Sequence, residues 1–286
     1  MMLCGLSGAA QQNLGQIKNV QELQRFFSYR PGRDPLLIAH RGGTVAGLPE
    51  NCLATFAHTV KMTTQFLEID PRLTKDSVIV IMHDPTLERT TNGKGKIEDY
   101  TWKELQQLRL KDAQGKLTDH QIPSLEAVIR WARGKCILLL DRKNVPLSMM
   151  VDKLKKWKAE AQVILSAFEL PDAKAYHRLN PELMLEIYIK NAEQLKMVEQ
   201  SGIPWKNIIA YVSQPKTREF YDLLHSKGIM SIVYTATVVE KEKDANLRKQ
   251  AYRDIIAAGG DIILADKVEE VMREVKSIKY QVSSRK

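Results

Sequence analysis

The sequence predicts an α/β protein closed as a (β/α)8 TIM barrel with a small inserted segment after the His83-Asp84 strand. Three features carry that expectation. Eight apolar runs of five to seven residues recur along the chain, and a stretch of helical spacing follows each of them. No Gly-x-Gly-x-x-Gly follows the first run, so the usual signature of an open, doubly wound sheet is missing. Short apolar runs alternating with amphipathic helices imply parallel strands buried on both faces.

Residues 1–34 form a lead-in, in which Val20, Leu23, Phe26 and Phe27 fall at helical spacing until Pro31-Gly32 stops the helix. Strands are expected at 36–40, 66–70, 136–141, 162–167, 183–189, 207–212, 229–234 and 261–265. Helices are expected at 51–63, 124–133, 147–160, 171–179, 191–201, 215–227, 245–258 and 267–277. One further apolar run, residues 78–84, follows the second strand too closely for a helical crossover, so the two are expected to pair as a hairpin. Between Pro85 and Pro123 the apolar periodicity fades, as in an excursion that sits over a site or packs as a small subdomain. The organisation is therefore one barrel domain at 35–280, with 85–123 inserted.

Among 286 residues, 44% are hydrophobic and 27% charged, which excludes disorder for the bulk of the chain. No apolar run reaches the roughly 18 residues of a transmembrane helix. A net charge of +9 favours an anionic ligand, but the basic residues are scattered, which argues against nucleic acid as a partner. Three cysteines without a Cys-x-x-Cys spacing give neither a disulfide framework nor a structural zinc site. Residues 1–10 are uncharged and end in Gly8-Ala9-Ala10. If they are the remnant of an export signal the protein is periplasmic or secreted, and otherwise it is cytoplasmic. The oligomeric state is left open.

The chemistry concentrates at strand ends. Glu68 and Asp70 lie two residues apart on a strand and project to one face, where paired carboxylates persist by sharing a proton or a cation. Asp141 and Lys143 repeat that spacing, offering a third oxygen to a cation and an ammonium to an anionic substrate. His40 ends the first strand and His83 the extra one, forming an acid–base couple. Arg41 suits bidentate capture of a phosphate. The following loop is glycine-rich and leads to Glu50-Asn51, with Asn51 read as a helix N-cap and Glu50 as a structural residue or an orienter of Arg41.

In order along the chain, His40-Arg41-Gly42, Pro49-Glu50-Asn51, Glu68-Ile69-Asp70, His83-Asp84-Pro85-Thr86, Ile122-Pro123-Ser124-Leu125-Glu126 and Asp141 with Lys143 resemble the glycerophosphodiester phosphodiesterases. The resemblance implies a barrel with one divalent metal ion at Glu68, Asp70 and Asp141. It further implies His40 and His83 as general base and acid, with Arg41 and Lys143 on the phosphate. The implied reaction takes a small-molecule glycerophosphodiester to sn-glycerol 3-phosphate and an alcohol such as choline or ethanolamine. An all-oxygen ligand set favours calcium or magnesium.

Three positions depart from the family pattern. Asp141 stands where Glu is usual, Tyr234-Thr235 where a Trp precedes the Thr, and Cys52 where Thr is common. Tyr234 is thereby a candidate aromatic wall for substrate. Two alternatives follow from the same residues: a phosphodiesterase for lysophospholipids or other phosphodiesters, with Tyr100 and Trp102 as an apolar rim, and a barrel that binds a phosphodiester without cleaving it.

Overall fold

The computed structural model describes Leu14 and residues 17–283, so the expectation about residues 1–10 lies outside the described residues. Chain order begins with α1 (Val20–Phe26), β1 (Leu36–Ala39), α2 (Leu53–Met62), β2 (Phe66–Ile69), β3 (Pro71–Leu73) and β4 (Ile79–Ile81). It continues with α3 (Trp102–Leu105), α4 (Leu125–Ala132), β5 (Ile137–Leu140), α5 (Leu147–Trp157), β6 (Val163–Ala167) and α6 (Leu170–Leu179). Then come β7 (Met184–Tyr188), α7 (Ala192–Glu199), β8 (Ile208–Tyr211), α8 (Arg218–Ser226), β9 (Ser231–Tyr234), α9 (Ala245–Ala258), β10 (Ile262–Ala265) and α10 (Val268–Ser283).

Eight of the strands close into a parallel barrel in the order β1-β10-β9-β8-β7-β6-β5-β2. Each is buried on both faces, and strand alternation sorts the side chains into two cores. Ile38, Leu139, Ile164, Met184, Ile232 and Leu264 fill the barrel interior. Their sequence neighbours, such as Leu37, Leu138, Leu165, Leu185, Val233 and Ile263, pack outward under the helices. The lead-in helix closes the N-terminal pole: Leu23 and Phe27 join the interior core, with Phe27 edge-on to Phe66 at 5.7 Å. No helix among the described residues is long and apolar enough to cross a membrane.

The extra strand pairs differently from the sequence expectation. β4 runs antiparallel to β3, in register Pro71↔Ile81 to Leu73↔Ile79, and not to β2. The chain turns out of the barrel after Asp70, so the stretch taken as a linker supplies the partner strand. The segment from Pro85 to Pro123 then builds its own core, in which Val80, Leu87, Ile97, Leu105, Leu110 and Ile122 are buried. Tyr100 and Trp102 are partly buried and pack against that core.

Candidate active site

The interior-facing residues change character at the C-terminal ends of the strands, where barrel enzymes build their sites. On β2 the inward series runs Phe66, Glu68, Asp70, so apolar filling gives way to two buried carboxylates. Asp141 follows β5, and its N–H bonds the Ile69 carbonyl at 2.9 Å, which places it beside Asp70. One carboxylate oxygen from each of Glu68, Asp70 and Asp141 lies within 4.8 Å of the other two.

Three carboxyl groups in so small a space raise an electrostatic cost that the site only partly offsets. Burial, then the charges of Asp70 and Asp141, push the Glu68 carboxyl well above the ordinary range. Burial would also raise Asp70, but Lys143, His83 and the Asn51 amide outweigh it and hold Asp70 below its usual value. The Lys143 ammonium lies 3.1 Å from Asp70 and pairs with Asp141 as well. Asn51 donates to Asp70 Oδ2 at 2.6 Å. Asn51 is therefore not the N-cap expected from the sequence: Cys52 takes that position without a capping bond, and Asn51 sits at φ 54° aimed at the site.

Each histidine hands its Nδ1 to a carboxylate. His40 Nδ1 meets Asp266 Oδ1 at 2.6 Å, and His83 Nδ1 meets Asp84 Oδ1 at 2.7 Å. With the carboxylates as acceptors, Nδ1 carries the proton and Nε2 is left to exchange one. His40 Nε2 is 3.9 Å from Glu68, and Tyr234 packs edge-on against the same ring at 4.9 Å. Burial works against the Asp266 carboxylate, but the hydrogen bond and charge of His40 prevail and keep its pKa below the ordinary value. Arg89 holds Asp84 through Nε at 2.6 Å and Glu50 through Nη2 at 2.7 Å, and its hydrogen bonds depress the Asp84 pKa. Arg72 fixes the backbone of His83 by donating to its carbonyl at 2.8 Å.

Arg41 adopts φ 53° in the tight turn after β1, and its N–H donates to Glu68 at 2.8 Å. Its guanidinium reaches Glu50 at 3.2 Å. The turn requires glycine next: Gly42 has φ 86°, and a Cβ there would meet the Phe56 ring at 2.5 Å. Both cations expected to grip a phosphate, Arg41 and Lys143, are thus paired with carboxylates.

The match to known proteins follows this geometry. Residues 40–269 fit the model of the glycerophosphoryl diester phosphodiesterase family. The chain belongs to that family. It is accordingly an enzyme of the phosphoric diester hydrolase class. A glycerophosphoryl diester phosphodiesterase from Parabacteroides distasonis is 45% identical and superimposes with a TM-score of 0.88, over 92% of this chain and 93% of that one. A glycerophosphodiester phosphodiesterase from Caldanaerobacter subterraneus is 26% identical over 260 residues, 84% of this chain and 98% of the relative. An Oleispira antarctica phosphodiesterase, solved with the product sn-glycerol-3-phosphate, shares the fold at 21% identity and a TM-score of 0.67, over 85% of this chain and 97% of that one.

Within this family member, Asp84 and Arg89 belong to the matched motif but had no role assigned from the sequence, and Asp266 was not singled out; these residues hold the predicted ones in place. A signal for Asp266 existed. A closed barrel pairs its first and last strands, and Ala39 is in register with Ala265, so the residues that follow, His40 and Asp266, emerge side by side.

Proposed function

We propose that this enzyme hydrolyses glycerophosphodiesters to sn-glycerol 3-phosphate and an alcohol, using a divalent cation at Glu68, Asp70 and Asp141 and the imidazoles of His40 and His83 as general base and acid. The observation that carries the reading is the carboxylate triad, two of its members buried, flanked by two histidines, each held by its own carboxylate. The residues fit a cation: three hard oxygens converge, and burial followed by the charges of Asp70 and Asp141 pushes the Glu68 carboxyl upward, a repulsion that a cation would relieve. A divalent ion there would withdraw charge from the phosphate oxygens and make phosphorus more electrophilic.

The side chains supply the rest. Arg41 and Lys143 exchange their carboxylate partners for phosphate oxygens as the substrate enters. One imidazole accepts the proton of the attacking hydroxyl through Nε2, and the other returns a proton to the departing alkoxide. Asp266 and Asp84 fix the tautomers and stabilise each imidazolium as it forms. Asp141 is a methylene shorter than the family's usual glutamate, and it is placed by its bonds to Lys143 and to the Arg142 N–H at 2.8 Å.

Release of glycerol 3-phosphate from glycerophosphocholine, assayed with calcium, with magnesium and with EDTA, tests the reading. Metal-dependent release is expected. His40→Ala and His83→Ala should each abolish turnover while leaving metal affinity nearly intact, and a histidine variant with near-normal rate would overturn the acid–base assignment.

A further inference from the structure

The two histidines are held by carboxylates, and each carboxylate needs holding in turn. Arg89 grips Asp84 through its side chain. Asp266 is held differently. Among the described residues, His40 is the one hydrogen-bond partner of its carboxylate. Its side chain is 43% exposed, so packing alone does not fix it. The backbone does. Thr44 N–H donates to the Asp266 carbonyl at 3.0 Å. Glu240 accepts the Asp266 N–H on Oε1 at 3.2 Å and the Lys267 N–H on Oε2 at 2.8 Å. The first N–H belongs to the peptide before the Asp266 Cα, the second to the peptide after it. One carboxylate therefore ties down both planar units whose rotation sets the conformation of Asp266.

Glu240 is itself firmly placed, in the loop between β9 and α9. At the start of that loop Thr235 is fully buried, and its N–H bonds the Leu264 carbonyl at 3.0 Å. The Thr235 hydroxyl donates to Glu240 Oε1 at 2.7 Å, and the Glu240 N–H returns to the Thr235 carbonyl at 3.1 Å. Past the far end of the loop, Arg248 is 8% exposed and donates to the carbonyls of Glu242 and Lys243 at 2.7 and 2.8 Å. The same guanidinium reaches α10 through two bonds of 2.8 Å to Glu270. Burial pushes the Glu240 carboxyl above its usual value, and the bonds from Thr235 and Lys267 only partly oppose it. A neutral side chain would avoid that cost. None, however, offers two acceptor oxygens on one fork, which is what bridging two successive N–H groups takes.

We propose that Glu240 is a positioning residue for proton transfer: by bridging the N–H groups of Asp266 and Lys267 it aims the Asp266 carboxylate at His40 Nδ1 and so keeps Nε2 free to exchange a proton. The inference rests on the acid–base reading of His40 and goes beyond it, to a residue outside the matched motifs that touches no member of the carboxylate triad. Without Glu240 the half-exposed Asp266 is free to swing, and displacement of a reacting group by about 1 Å lowers rates by about a hundredfold.

The test uses the full chain and glycerophosphocholine under fixed metal conditions. Glu240→Ala should lower kcat by roughly tenfold to a hundredfold, with KM and calorimetric metal affinity changing far less. Glu240→Gln keeps one acceptor oxygen and should lose less, in the same direction. The Asp266→Asn background separates positioning from support of the loop. A residue that acts through Asp266 has little left to lose there, so adding Glu240→Ala should lower kcat only slightly further. The same fold-loss in both backgrounds would overturn the proposal, as would unchanged kcat per folded molecule in both Glu240 variants. Heteronuclear NMR of the His40 ring nitrogens, assigned by their loss in His40→Ala, needs no turnover. With the ring neutral, the unmodified chain should show Nδ1–H and a bare Nε2, and Glu240→Ala a mixture of tautomers. An identical tautomer in both would also overturn the proposal. That tautomer shift in a chain without turnover would sink the phosphodiesterase reading and leave the hold of Glu240 on Asp266 standing.

Discussion

In the proposed mechanism His40 and His83 carry protons only because something fixes which nitrogen is free, and Asp266 and Asp84 lie at 2.6 and 2.7 Å to do that. Asp266→Asn keeps the shape of the site but lets the amide present a donor to Nδ1, favouring the wrong tautomer. Turnover should drop by roughly 10²–10⁴-fold. Substrate KM should change far less, and calorimetric metal affinity should be near normal. A variant with unaltered kcat would show that His40 needs no orienting carboxylate. At this scale the sequence was informative where chemistry lies in short motifs. Glu68, Asp70 and Asp141 could be matched because i and i+2 on a strand share a face, and the structure brings their oxygens together. Asn51 was misread because a polar residue before a helix looks like a cap, whereas its φ of 54° turns the amide toward Asp70.

The elements divide into those that carry the barrel and those that carry the site. All eight barrel strands were legible as apolar runs because parallel strands buried on both faces cannot afford polar residues until they reach the mouth. β3 was not legible: three residues with Pro71 and Arg72 have no apolar pattern, and only pairing with β4 makes them a strand. The inserted segment was visible as a break in rhythm, but its core of scattered Leu and Ile residues has no period to read. Its role can be separated from that of the lead-in helix. Phe27→Ala and Leu87→Ala remove fully packed side chains from the two regions. Urea unfolding should show losses of about 3–5 kcal/mol for the Phe and about 2–5 kcal/mol for the Leu. Phe27 plugs the opposite pole, so its variant should retain kcat per folded molecule. Leu87 precedes Arg89, the clasp on Glu50 and Asp84, so kcat should fall as well. Equal kcat in both variants would contradict a positioning role for the insert.

Over the whole molecule, the buried Glu186 couples stability to pH. Burial raises its carboxyl from 4.5 to about 8, against the opposing bond from Ser166. Between those values the folded chain keeps a proton that the unfolded chain has released. The contribution is therefore fully present below about pH 4.5 and is lost as pH rises toward 8. The melting temperature of Glu186→Gln should gain on that of the unmodified chain across this interval, and parallel curves would show that Glu186 does not titrate there. The same barrel that buries Glu186 also draws residues 40, 68, 141 and 266 to one mouth, a convergence readable from the sequence only once the strand order is fixed.

The proposed mechanism requires that the acidic triad bind the ion on which turnover depends. Titrating the metal-stripped chain with calcium and with magnesium by calorimetry, and assaying glycerol 3-phosphate release on the same samples, measures both properties together. One ion should bind per chain, activity should rise in step with occupancy, and Asp70→Asn should lose both. Full turnover in the stripped protein, or unchanged metal binding in Asp70→Asn, would contradict it.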